Sequence, residues 1–141
     1  MLIAEAMSEK AMLAQEIAEL TDRINVEAVA YPSDNQPNLP AMLIQLDEAW
    51  ERYLELELSL WQTGMITIVA NGENLTTAIA RRDAMNQMAS NYAKLATRPN
   101  LLYNQKDLLN RDGMRGYRDE LVEKARLLDF KIQEKLWTVE I

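Results

Sequence analysis

"GMITIVANGENLTTAIARRD", residues 64–83, holds the turning point of this chain. Ile66, Thr67, Ile68 and Val69 form a β-branched run, and Asn71-Gly72 follows it. Asn-Gly after such a run marks a tight hairpin, because both residues tolerate the positive φ its turn needs. The pattern predicts a helix ending near Gly64, a short β-hairpin or extended turn over 66–75, and a new helix beyond. Asn74 or Thr76 can cap that helix by accepting a bond from its free N–H groups. Leu75, Ala78, Ile79, Met85, Met88, Ala89, Tyr92, Leu95 and Ala96 mark its buried face. Arg81, Arg82 and Asp83 lie in its middle. Residues two apart on a helix do not face each other, so Arg81 and Asp83 are not partners. Their expected partners are the acidic helices upstream. The stretch reads as a structural corner; a catalytic role for these three residues is the competing reading.

Upstream, residues 41–63 predict a helix. Leu43, Leu46, Trp50, Leu54, Leu58 and Trp61 step by three and four, and Tyr53 and Leu60 widen the stripe to a core face. Trp50 and Trp61 are its largest expected packing anchors. "YPSDNQPNLP", residues 31–40, precedes it as the polar loop of a helical hairpin, with Pro40 in the first helical turn. Residues 2–29 read as one long helix whose seam is Ile3, Ala6, Lys10, Leu13, Ile17, Leu20 and Ile24. Such a narrow seam suits either a coiled coil between copies or packing inside one bundle. Downstream, residues 97–116 carry Pro99, Gly113 and Gly116 and no sustained period. A last helix is predicted over 117–136, with Leu121, Ala125, Leu128, Ile132 and Leu136 in step. The closing "WTVEI" is expected to pack against another element.

With 141 residues the chain suits one helical domain, 1–141. Only 4 Gly, 4 Pro and 1 Phe stand beside many Ala, Leu, Glu and Met, which favours helices over strands. No cysteine and no histidine are present, which removes thiolate chemistry and the usual proton-transfer and metal-binding side chain. Paired carboxylates such as Glu51 and Glu55 lack the histidine that a di-iron bundle requires. Asn110, Asp112, Gly113 and Asp119 fall at positions 3, 5, 6 and 12 of a calcium loop, but Leu108 occupies the first ligand position. No phosphate-binding glycine loop and no nucleophile elbow occur. These readings lead us to expect no enzyme activity, no metal and no cofactor.

The net charge of −7 is unevenly spread. Residues 1–75 hold 3 basic and 13 acidic side chains, and residues 76–141 hold 12 and 9. The segment 94–118 is the most basic, with Lys94, Arg98, Lys106, Arg111, Arg115 and Arg118 against Asp107 and Asp112. Solvated helix faces are one reading of this asymmetry. The sharper one is that acidic and basic halves meet, within a subunit or between subunits. Nucleic acid is disfavoured by the acidic half. The first helix has the wrong sign for an anionic membrane, and no apolar run is long enough to span one. The N-terminus lacks the pattern of a signal peptide.

"LTTAIARRD" at 75–83, "LLDFKIQEKLWT" at 127–138 and "IAEAMSEKAMLAQEIAEL" at 3–20 resemble the septicolysin-like family of small bacterial proteins. The resemblance runs nearly end to end and is weakest at 98–116. It departs at Gly64 and Leu136, where that family suggests asparagine. It implies a compact, mainly helical protein with a long antiparallel hairpin. The family name suggests a cytolysin, but no membrane-inserting hairpin is visible in the residues.

The expectation is therefore an all-α bundle of about four helices with a minor β-hairpin. We expect a non-enzymatic, cytoplasmic assembly protein, a homo-oligomer joined by the first helix's seam and by acid–base complementarity. The alternative is an adaptor whose acidic hairpin grips a basic protein. Arg81, Arg82, Asp83, Trp50, Trp61 and Trp137 are the candidate interaction residues.

Overall fold

The computed structural model describes residues 1–29 and 38–141. The predicted loop at 31–40 lies outside these residues except for Asn38, Leu39 and Pro40. Among the described residues the order is α1 (Ile3–Glu27), α2 (Leu39–Ile66), β1 (Ile68–Ala70), β2 (Glu73–Asn74), α3 (Leu75–Ala96) and α4 (Arg111–Leu136). The all-α class with one short hairpin is as the sequence predicts. The chain forms two compact units, Met1–Thr63 with Leu136–Ile141, and Gly64–Lys135.

In the first unit α1 and α2 form an antiparallel helical hairpin. Arg52 bonds Glu9 through both Nε (2.8 Å) and Nη2 (3.0 Å), and Lys10 pairs with Glu57. The N-terminal half of α1 thus meets the C-terminal half of α2. Glu5 accepts the Leu2 N–H at 2.7 Å and so closes the start of α1. Asn38 Oδ1 accepts the Ala41 N–H at 3.2 Å at the start of α2, with Pro40 in the first turn. The predicted α1 seam is correct in its residues, for Ile3, Ala6, Ile17 and Leu20 are buried. These four residues are buried within a single chain, whereas Lys10, Leu13 and Ile24 of the same seam are half-buried. The closing segment also belongs here. Ile3 N–H bonds Val139 O at 3.0 Å, Ile141 N–H bonds Met1 O at 3.1 Å, and Leu2 bridges Glu140.

In the second unit, Asn71 and Gly72 take φ of 51° and 76°, the turn that Asn-Gly favours, and join β1 to β2 antiparallel. Asn74 is the N-cap of α3, its side chain accepting the Thr77 N–H at 2.9 Å. α2 continues to Ile66, two residues beyond the predicted Gly64. At Gly64 a Cβ would collide with Thr76 Oγ1, so glycine lets the end of α2 approach the first turn of α3. Leu75, Ala78, Ala89 and Ala96 are the buried stripe of α3, while Met88 and Leu95 are exposed. Ala125 and Ile132 are buried on α4, on the stripe the sequence predicts.

The start of α4 needs correction. The helix begins at Arg111, not near 117, and runs through Gly113 and Gly116. Asn110 is the reason: its Oδ1 accepts the Gly113 N–H at 3.0 Å and its carbonyl takes the Met114 N–H at 3.0 Å. A side chain at 113 would crowd that cap, its Cβ falling 2.8 Å from Asn110 Nδ2. The two glycines therefore belong to a capped helix start and not to a loop.

Candidate interaction surfaces

Helix α2 carries apolar residues on two faces. Met42, Ala49 and Leu56 are buried, with Tyr53 and Leu60 half-buried beside them. The other stripe, Leu43, Trp50, Leu54, Leu58 and Trp61, is open to solvent. Trp50 is 50% exposed and Trp61 58%. The sequence assigned both tryptophans to the core, and this is corrected. Either stripe repeats at helical spacing, and periodicity cannot say which of them meets α1. Trp50 packs edge-on against Tyr53 at 5.4 Å, so its ring is oriented by a residue of the covered face. Trp137, beyond the end of α4, is also exposed.

Acidic side chains border the open stripe. Asp47 and Glu51 lie one turn apart beside Trp50 and Leu54, and Glu48 flanks them. None of the three makes an ion pair among the described residues. The cations near by are already engaged. Arg52 bridges Glu9 and Glu55, which holds its guanidinium pKa above the ordinary value and the Glu9 carboxyl below its own. Lys10 lies against Glu57 and 5.6 Å from the Tyr53 ring centroid.

Arg81, Arg82 and Asp83 take partners the sequence did not foresee. Arg81 reaches Glu73 on β2 (2.8 Å), not an acid of α1 or α2. That bond raises its pKa. Arg82 bridges Asp129 of α4 (2.7 Å) and its neighbour Asp83 (3.0 Å). Partial burial opposes its charge, and the two carboxylates outweigh it, so its pKa is raised. Acid–base complementarity is thus satisfied locally in the second unit. The partners were hidden because Glu73 and Asp129 lie 8 and 47 residues away, reached through the hairpin and the packing of α3 on α4. A shallow groove of about 490 Å³ lies beside Arg81, lined by Glu73, Lys124, Leu127, Leu128 and Lys131. It brings Arg81, fixed by Glu73, together with Lys124 and Lys131.

A second surface was missed at the residue level. The loop 97–110 presents Leu101, Leu102, Tyr103 and Leu108 outward, with Tyr103 and Leu108 almost wholly exposed. It has a defined shape. Leu102 and Gln105 exchange two bonds, Gln105 N–H to Leu102 O at 3.1 Å and Leu102 N–H to Gln105 Oε1 at 2.9 Å. Its base is fastened by Arg111, which grips Asp107 through Nε (2.8 Å) and Nη2 (2.9 Å) and donates to Leu95 O at 2.9 Å. Arg111, then the Leu109 N–H, hold the Asp107 carboxyl below the usual range. The loop borders an open, shallow hollow of about 500 Å³ lined by Pro99, Leu101, Lys106, Leu108 and Leu109. Charge content had drawn notice to 94–118, but its apolar residues follow no period and gave no signal.

Among the described residues no group of three or more acidic side chains is placed to hold a metal ion. The residues of the calcium-like pattern are otherwise used. Asn110 caps α4, Asp112 pairs with Arg98 at 3.2 Å, and Asp119 pairs with Arg118 at 2.7 Å. No helix among the described residues is long and apolar enough to cross a membrane.

The described residues form an all-α protein with a short β-hairpin, an open apolar stripe on α2 and an outward-facing apolar loop at 97–110. Residues 10–141 match a family described as "Family of unknown function (DUF6847)", and the chain belongs to that family. No curated protein matches it. Its fold is similar to the crystal structure of a functionally unknown conserved protein from Corynebacterium diphtheriae. The TM-score is 0.91 at 24% identity, over 100% of this chain and 98% of that one. That likeness establishes the fold.

Proposed function

We propose that this protein is a non-catalytic assembly protein that forms a homo-oligomer, with the open stripe of α2 as part of the contact. The carrying observation is the row of Leu43, Trp50, Leu54, Leu58 and Trp61, apolar and exposed along one side of a helix. Monomeric proteins seldom leave so long a row of large apolar side chains uncovered. Aromatic residues of this kind dominate the energetics of protein contacts. The helices themselves, rather than a bound group, are the working part. The likeness to septicolysin-like proteins belongs to this reading as a likeness of architecture. The absence of cysteine fits a reducing compartment such as the cytoplasm.

A second reading rests on Asp47, Glu48 and Glu51, which make no ion pair among the described residues and whose charge suits a basic protein held by the acidic hairpin. Light scattering on a sizing column separates the two. Assembly requires a discrete multiple of 16.2 kDa from the pure chain. A mass of one chain at all concentrations refutes assembly and favours the adaptor, which must then bind a basic partner at low salt.

A further inference from the structure

We propose that the loop 97–110 of one copy docks on the open stripe of α2 in a second copy. This rests on the assembly reading and names the two surfaces that meet. The loop combines three properties that a docking element needs. Its apolar side chains point outward, led by Tyr103 and Leu108. Its shape is fixed by the Leu102–Gln105 turn and by Arg111 at its base, so little freedom is lost on binding. Its hollow of about 500 Å³ has room for one large side chain, and Trp50 and Trp61 are the largest that α2 exposes.

Charge selects the pairing. Lys106 lines the hollow and has no ion pair among the described residues, whereas Arg98 and Arg115 are paired with Asp112 and Arg118 with Asp119. Asp47, Glu48 and Glu51 border the α2 stripe and make no ion pair among the described residues. Placing α2 against α2 of a second copy would bring these acids onto one another and is disfavoured. Placing the loop there joins apolar to apolar and Lys106 to the acidic border.

The chain has no cysteine, so single thiols can be introduced cleanly. Asn104→Cys beside Tyr103, Gln62→Cys beside Trp61 and Met12→Cys all alter exposed positions, and none removes a side chain of the proposed contact. Two single-cysteine full-length variants are mixed, treated with a short bismaleimide, and separated on a denaturing gel. Asn104→Cys mixed with Gln62→Cys should give a covalent pair of twice 16.2 kDa. That pair should be lost when Met12→Cys on α1 replaces Gln62→Cys. It should fade at about 1 M salt, where charges are screened beyond about 3 Å. If Gln62→Cys couples to itself and not to Asn104→Cys, or if neither couples in a protein that is oligomeric, the docking proposal is overturned while assembly stands. If the unmodified protein is a monomer by light scattering, assembly fails and this proposal with it.

Discussion

Leu54 and Leu56 stand two residues apart on α2, and replacing each with alanine separates the core of the hairpin from its open face. Leu56 is 2% exposed and Leu54 is 56% exposed. Leu56→Ala removes three buried carbons, worth about 2.4 kcal/mol at about 0.8 kcal/mol each. The residual cavity raises the cost to about 3–4 kcal/mol. For a chain of this length that lowers the melting temperature by about 10 °C. Leu54→Ala removes carbons already in water, so its effect on unfolding should stay within about 0.5 kcal/mol. Its effect should fall on association. Covering the exposed half of that side chain is worth about 1–1.5 kcal/mol, roughly tenfold in the dissociation constant. Urea unfolding and a dilution series by light scattering read the two quantities separately. A loss of stability in Leu54→Ala as large as in Leu56→Ala would mean that the tryptophan stripe is packed in solution. The assignment of faces on α2 would then be wrong.

Two further outcomes follow from the second unit. Asn74→Ala removes the cap on the Thr77 N–H and should cost about 1 kcal/mol, with Asn74→Asp nearly neutral; equal losses in both variants would show that the cap is not what matters there. The paired carboxylates Asp107, Glu123 and Glu9 all have lowered folded pKa values, each chiefly through an arginine bond. A lowered folded pKa gives stability that is full above the unfolded values, about 3.9 for Asp and 4.3 for Glu, and is lost as pH falls through the folded ones. Thermal unfolding should therefore be flat between about pH 5 and 7 and weaken below about pH 4. By carboxyl NMR, Asp107 should titrate below its ordinary value and move back toward it in Arg111→Lys. A midpoint at or above about 3.9 in the unmodified protein would contradict the Arg111 clamp.

Local chemistry made the corner at 64–83 legible. Asn-Gly needs only its own backbone preferences to specify the turn, and Asn74 needs only the N–H groups three residues on. The α1 seam and the α4 stripe were legible for the same reason, since one apolar face leaves one way to bury it. The start of α4 was legible in principle. Asn110 is a good cap, but Gly113 and Gly116 obscured it because their low helix propensity reads as a break.

Other features depended on distance in space. α2 offers two apolar stripes, and only its meeting with α1 through Arg52–Glu9 and Lys10–Glu57 decides that Leu56 is covered and Trp50 open. The partners of Arg81 and Arg82 were decided by the hairpin and by the packing of α3 on α4, which no spacing along the chain encodes. The outward display of Tyr103 and Leu108 likewise depends on Arg111 fastening the loop to Asp107 and to the end of α3. The sequence by itself determined which segments become helix and turn, because those choices rest on neighbours within four residues. Tertiary structure decided which apolar face is core and which is surface, because burial is a property of what comes to lie opposite.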